Sequence, residues 1–223
     1  MTKTELRDKL LAQENQKPEL AKMRSADALF VAGSFRQFGE VLQVSGQLIG
    51  PDRKEGNSPF KFGSDEVYGI SLLLRIAAEL SENTVKLFEE KQTYTAAALL
   101  RQIVEVEYLA WAFENRDRDA EKWLRSSKDE RWEIFRPAKL RKAAGKQFRA
   151  KDYGYHCDMG GHPTPSAMTL MANDTLVIQL LLSDLLGHMA GIWNHFVFWG
   201  QQHKELHESS TSSKNCAKRQ ENA

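Results

Sequence analysis

A chain of 223 residues, 41% hydrophobic and 27% charged, has enough apolar material for one ordinary core, which excludes wholesale disorder. Its 31 basic and 30 acidic residues leave a net charge of +1, so any attraction for a polyanion has to be local. The two cysteines, Cys157 and Cys216, exclude a disulfide scaffold and a cysteine-rich zinc module, and suit free thiols in a reducing, cytoplasmic compartment.

In chain order, 4–14 reads as a short polar helix without the apolar stretch of a signal peptide. Pro18 fits the first turn of a long helix. Its apolar residues Leu29, Phe30, Ala32, Phe35, Phe38, Val41, Leu42 and Val44 recur at intervals of three and four, and Gly50-Pro51 ends it. The segment 52–63 is a loop by its Gly, Asn, Ser and Pro content. A second helix is expected over 65–90 with Asp65 as its N-cap, and a third over about 93–114, capped by Thr93 or Thr95. Three short helical pieces follow, at 119–126, 129–135 and 137–148, each with a start or stop signal in Asp119, Ser127, Pro137 or Gly145. Gly154, Gly160, Gly161, Pro163 and Pro165 break the pattern over 150–173. Asn173 or Asp174 then caps a last long helix reaching about 207, and 208–223 has the polar composition of a disordered tail.

These elements predict an all-α fold, an antiparallel four-helix bundle of the helices at about 20–48, 65–90, 93–114 and 174–207. The short helices cover one end or side, and a Gly/Pro/His-rich loop precedes the last long helix. The domain expected is 18–207, with 1–17 and 208–223 as appendages. The runs 96–113 and 176–199 are long enough to span a bilayer. The first holds Arg101, Glu105 and Glu107, and the second Asp184, His188, Asn194 and His195. Ionisable groups are costly at mid-membrane, so both read as buried bundle helices and no membrane contact is expected.

Two stretches stand out for chemistry. From Arg136 to Lys151 there are seven cations (Arg136, Lys139, Arg141, Lys142, Lys146, Arg149 and Lys151) and no acidic residue. Phe135, Phe148, Tyr153 and Tyr155 bracket them. Cations interleaved with aromatics suit a nucleic acid, because phosphates take the charge and bases stack on rings. The bland alternative is a solvated face. The loop 153–165 then brings together Tyr153, Tyr155, His156, Cys157, Asp158 and His162 with three glycines and two prolines. Its Gly-Gly pair allows close backbone approach to an anion, and its alternative role is a structural lid.

Two polar constellations lie on the apolar helices. Arg101 and Glu105 are spaced to pair on one face, either as a structural ion pair or with the carboxylate orienting a loop histidine. Asp184, His188 and His195 share a face of the last helix, beside Gly187 and Gly191, whose spacing lets a neighbouring helix come close. A metal site drawn from Glu105, Asp184, His188 and His162 has neither a Glu-x-x-His pair nor a His-Glu-x-x-His motif behind it, so no metal and no cofactor are expected. Walker, dinucleotide-turn and nucleophile-elbow motifs are absent.

Arg149 and His156, with six residues between them, resemble the Arg, four to six residues, His motif of HEPN-domain ribonucleases. The stretch 95–170 is also similar to a group of uncharacterised bacterial helical proteins. The shared elements are Arg101 with Glu105, then Trp123-Leu124, Phe135, Pro137 and Arg141, then the Tyr-x-x-His-Cys and Gly-Gly-His-Pro-x-Pro loop. The HEPN resemblance implies metal-independent RNA cleavage, with His156 as acid/base, Arg149 as phosphate ligand and His162 as a second acid/base. The RNA would lie along Arg136, Lys139, Arg141, Lys142, Lys146, Lys151, Tyr153 and Tyr155, in a toxin or defence setting. The competing expectation is a non-enzymatic helical interaction protein. Trp193, Phe196, Phe198 and Trp199 crowd the end of the last helix and suggest a homodimer surface.

Overall fold

A computed structural model describes residues 18–48, 63–148 and 150–203. The expected helix at 4–14, the loop from 52 to 62, Arg149 and the chain beyond 203 lie outside the described residues. Among the described residues there is no strand, and the all-α class holds.

The long helices are α1 (Pro18–Leu48), α2 (Asp65–Glu89) and α3 (Thr93–Asn115). The short ones follow: α4 (Asp119–Arg125), α5 (Lys128–Phe135), α6 (Pro137–Ala144) and α7 (Ala150–His156). One turn of π-helix (Cys157–Gly161), the short α8 (Ala167–Met171) and the long α9 (Thr175–Gln202) complete the order. The stop and start signals act locally as expected, with small shifts in which residue acts. Ser64, not Asp65, caps α2, its hydroxyl accepting from the Val67 amide. Ser127 and Glu130 form a reciprocal capping box on α5. Asp174 caps α9 by accepting from Leu176 N. Thr93 is the first residue of α3, and its hydroxyl donates to Asn173 Oδ1 at 2.8 Å, tying the starts of α3 and α9 together.

Residue pairings fix the directions of the bundle. Arg36 with Glu82 and Arg75 with Gln43 set α1 antiparallel to α2. Trp199 with Glu66 sets α9 antiparallel to α2. Arg24 with the Gln179 carbonyl at one end, and Phe35 with Trp193 further along, set α9 parallel to α1. The excursion through α4–α8 carries the chain back to the starting end before α9 begins, which lets α9 run in the same direction as α1 and α3.

The core lies where these four helices meet. Ala28, Ala32 and Phe35 of α1, Leu73 and Leu74 of α2, Leu100 and Ile103 of α3, and Leu185, Met189 and Ile192 of α9 are all buried. The outer face of α1 is more apolar than its periodicity suggests, with Phe30 at 77% and Val41 at 59% exposure. Among the described helices, α9 is the one long and apolar enough to cross a membrane by length and composition. In the bundle its Leu181, Leu182, Leu185, Met189, Ile192 and Trp199 are buried.

Candidate functional site

The stretch expected as a Gly/Pro/His-rich loop is more regular than its composition suggests, because its glycines serve contact rather than flexibility. A Cβ on Gly160 would stand 2.5 Å from the Ala97 carbonyl carbon and the Ala98 nitrogen, and one on Gly161 would stand 2.7 Å from Arg101 Cδ. Only glycine lets this backbone lie directly on α3. The approach made possible by the Gly-Gly pair is therefore to a helix. The π turn closes with His162 N donating to Cys157 O at 3.1 Å. It holds His156, the last residue of α7, against the bundle.

His156 is 3% exposed. Its Nε2 faces two residues one turn apart on α9: Asp184 Oδ2 at 3.3 Å and His188 Nε2 at 3.3 Å. Asp184 Oδ1 lies 3.5 Å from His188 Nε2. On the far side of the ring, His188 Nδ1 lies 2.6 Å from Glu107 Oε2 of α3. A carboxylate accepts, so Nδ1–H donates to it. In the neutral ring this leaves the His188 Nε2 lone pair directed at His156. Gly191 makes room for the contact: a Cβ there would fall within the Glu107 carboxylate, 2.7 Å from its Cδ.

The environment pushes these groups apart. Burial, with the neighbouring His188, lowers the His156 pKa to about 4. Burial opposes charge on His188 too, but the hydrogen bond to Glu107 and the negative charges of Glu107, Asp184 and Asp152 together outweigh it, and the pKa rises. Burial raises Asp184, against the pull of His188. Asp184 Oδ2 is buried and accepts no hydrogen bond. Glu107, Asp184 and His188 open onto a cleft of about 240 Å³, whose other walls are Tyr108, Gln147, Phe148, Asp152 and Gly187. Among the described residues, His156, Asp184 and His188 form a group able to hold a metal ion.

A second polar cluster lies at the side of α3. Arg101 and Glu105 pair at 2.7 Å. The Tyr153 hydroxyl donates to Glu105 Oε1 at 2.8 Å and accepts from Arg101 at 3.1 Å. The group that Glu105 holds, besides Arg101, is thus a tyrosine of α7. Burial and the Glu105 bond push the Tyr153 hydroxyl up to about 12. The Arg141 guanidinium stacks 4.5 Å from the Tyr153 ring centroid.

The remaining sequence candidates are spread out. Arg136 stacks over Trp132 and Lys139 pairs with Glu133. Lys142, Lys146, Lys151 and His162 are exposed, as is Tyr155, whose ring lies 5.4 Å from that of His156. Arg149 is outside the described residues. Of the three expected catalytic residues, His156 joins the buried centre, and its partners are Asp184 and His188. Glu107 had no assigned role in the sequence, yet a signal for it existed. Glu107 and Glu114 are seven apart on α3, and their partners His188 and His195 are seven apart on α9. That matched spacing is what two parallel, adjacent helices require.

No family model, curated protein or solved structure matches this chain.

Proposed function

We propose that the protein binds RNA and cleaves it at the centre built from His156, Asp184 and His188. The observation that carries this reading is a cleft with two proton-handling groups of the centre in its wall, Asp184 and His188, bounded by a segment that carries exposed cations. Gln147, Phe148 and Asp152 line the cleft. Lys146 and Lys151 alternate with them in sequence and are exposed, as is Tyr155 beyond. The exposed lysines of this segment offer charge to phosphates, and the Phe148 ring in the cleft wall offers a face for a base.

In this reaction a ribose 2′ oxygen attacks the adjoining phosphorus and the bond to the 5′ oxygen breaks. The 2′ proton passes to a group of the centre and another proton reaches the leaving oxygen, giving a cyclic phosphate and a free 5′ hydroxyl. Glu107 holds His188 in one orientation for that exchange. The test is cleavage of a mixed RNA pool by wild type, Asp184→Asn and His188→Gln, with and without EDTA, matched for folding by circular dichroism. Cleavage lost in both variants is expected. No cleavage by folded wild type in either condition, or cleavage unchanged in both variants, would sink the proposal.

A second reading, a helical interaction protein forming a homodimer, is favoured by one observation. Met23, Phe30, Val41 and Val44 of α1 are more than half exposed, and such surface is found at interfaces. Sedimentation of wild type against Phe30→Ser with Val41→Ser tests it: the proposed dimer gives way to monomer in the double variant.

A further inference from the structure

The geometry points to a metal centre: His156 Nε2, His188 Nε2 and the Asp184 carboxylate bind one divalent transition-metal ion of the zinc type, with Glu107 as the outer carboxylate on His188. This deepens the reading of the same centre given above, but it rests on the set of donors and not on RNA.

The donors have the right spacing. The two Nε2 atoms lie 3.3 Å apart, and each has its own Asp184 oxygen beside it, Oδ2 at 3.3 Å from His156 and Oδ1 at 3.5 Å from His188. A tetrahedral ion with bonds of about 2.0–2.1 Å holds its ligands about 3.3–3.4 Å apart, whereas right-angled octahedral ligands at that bond length sit about 2.9 Å apart. A larger ion such as calcium also fits separations of this length, but it takes oxygen donors, and two of the three donors here are imidazoles.

The donors have the right protonation. With its Nδ1–H committed to Glu107, His188 presents an Nε2 lone pair on the side of His156 and Asp184. A carboxylate behind a metal-bound imidazole fixes the tautomer and raises its basicity. Two imidazole nitrogens that face each other at 3.3 Å have at best one proton to share. Asp184 Oδ2 is buried beside them without a hydrogen bond. A cation at the centre satisfies all three lone pairs at once, and Asp184 with Glu107 supplies two negative charges to balance it. The supporting contacts come from α3, α7 and α9, so the fold brings the donors together without relying on a short sequence motif.

Three protein ligands leave a fourth position. Buried His156 closes one side, while Asp184 and His188 line the cleft. The open position therefore faces the cleft, as in zinc sites that activate water rather than structural ones. Water bound there supplies a hydroxide near neutral pH, which can take the 2′ proton in the cleavage proposed above.

The test uses the full-length protein, stripped with EDTA and dialysed, then titrated with Co²⁺ and followed by its visible absorption, with calorimetry of Zn²⁺ binding alongside. One equivalent should bind, Co²⁺ should give the intense bands of a tetrahedral site, and Zn²⁺ should bleach them. Asp184→Asn and His188→Gln should abolish the bands. Glu107→Gln should weaken binding about 10–100-fold. Circular dichroism and thermal melting confirm that each variant is folded. Absence of tetrahedral bands in wild type, or the same affinity in folded His188→Gln, would overturn the inference. RNA cleavage that persists in EDTA by a protein that binds no Co²⁺ defeats the metal site and leaves the RNA reading standing. Tight one-to-one metal binding with no RNA cleaved does the reverse.

Discussion

Two glycines one turn apart on α9 should respond to alanine with opposite signs. A Cβ at Gly187 meets nothing within 4 Å. Gly187→Ala therefore gains only the helix propensity difference, about 0.8–1.0 kcal/mol in favour of the fold. A Cβ at Gly191 gains the same, but it occupies the place of the Glu107 carboxylate. That carboxylate must swing away, and its bond to His188 goes with it. A hydrogen bond to a charged group is worth about 1.5–3 kcal/mol, so Gly191→Ala should cost a net ~0.5–2 kcal/mol. At about 2–4 °C per kcal/mol for a domain of this size, Gly187→Ala should melt roughly 2–4 °C above wild type and Gly191→Ala roughly 1–8 °C below it. Thermal melting followed by circular dichroism reads both. If Gly191→Ala is stabilised as much as Gly187→Ala, then Glu107 and His188 are not bonded in the folded protein, and the oriented imidazole that the metal site depends on is lost with them.

Gly160→Ala sets a Cβ against backbone on α3 rather than a movable side chain; overpacking of this kind costs about 1–3 kcal/mol, and a denaturation midpoint equal to wild type would mean the π turn does not sit on α3. Ser127→Ala removes the hydroxyl half of the α5 capping box and should cost about 1 kcal/mol in chemical denaturation, with no loss refuting the cap. Burial raises the pKa of Glu66, which accepts from the Glu121 amide and Trp199 Nε1 and has His203 nearby. A carboxyl whose folded pKa is raised contributes stability that is full below its unfolded pKa of about 4.5 and is lost as pH rises through the folded value. Relative to wild type, Glu66→Gln should thus gain stability as pH rises through that window, and a pH-independent difference between the two would refute the burial.

Local rules made most of the helices legible. Pro18, the Ser127 box, Gly145 at φ +65° and Asp174 act within a few residues of themselves, so a single sequence suffices to place them. What could not be read depends on distant partners. Gly160 and Gly161 look like loop formers until Ala97 and Arg101 are brought beneath them. Glu107 looks like one more charge on an apolar helix until α9 returns parallel to α3. Glu105 could be read either as the ion-pair partner of Arg101 or as the support of a loop histidine; the ion pair forms and Glu105 also holds Tyr153, while His188, His195 and His156 are met by Glu107, Glu114 and Asp184. The basic block was visible as composition, but three of its members turn to Trp132, Glu133 and Tyr153, and composition does not tell a paired cation from a free one.

Because α9 packs parallel to α3 after a long excursion of the chain, the centre draws on widely separated parts of the sequence. Glu107 and His188 are 81 positions apart. At a synthesis rate of about 5–20 residues per second, Glu107 emerges roughly 4–16 s before its partner exists. During that interval α1, α2 and α3 can associate, but the groove meant for α9 is open and carries unpaired carboxylates at Glu107 and Glu114. The helix α9 is thus both the lid of the core and the bearer of Asp184 and His188, so the polar centre is complete only once α9 has docked. A chain stopped before α9 would hold a large part of the bundle but neither Asp184 nor His188.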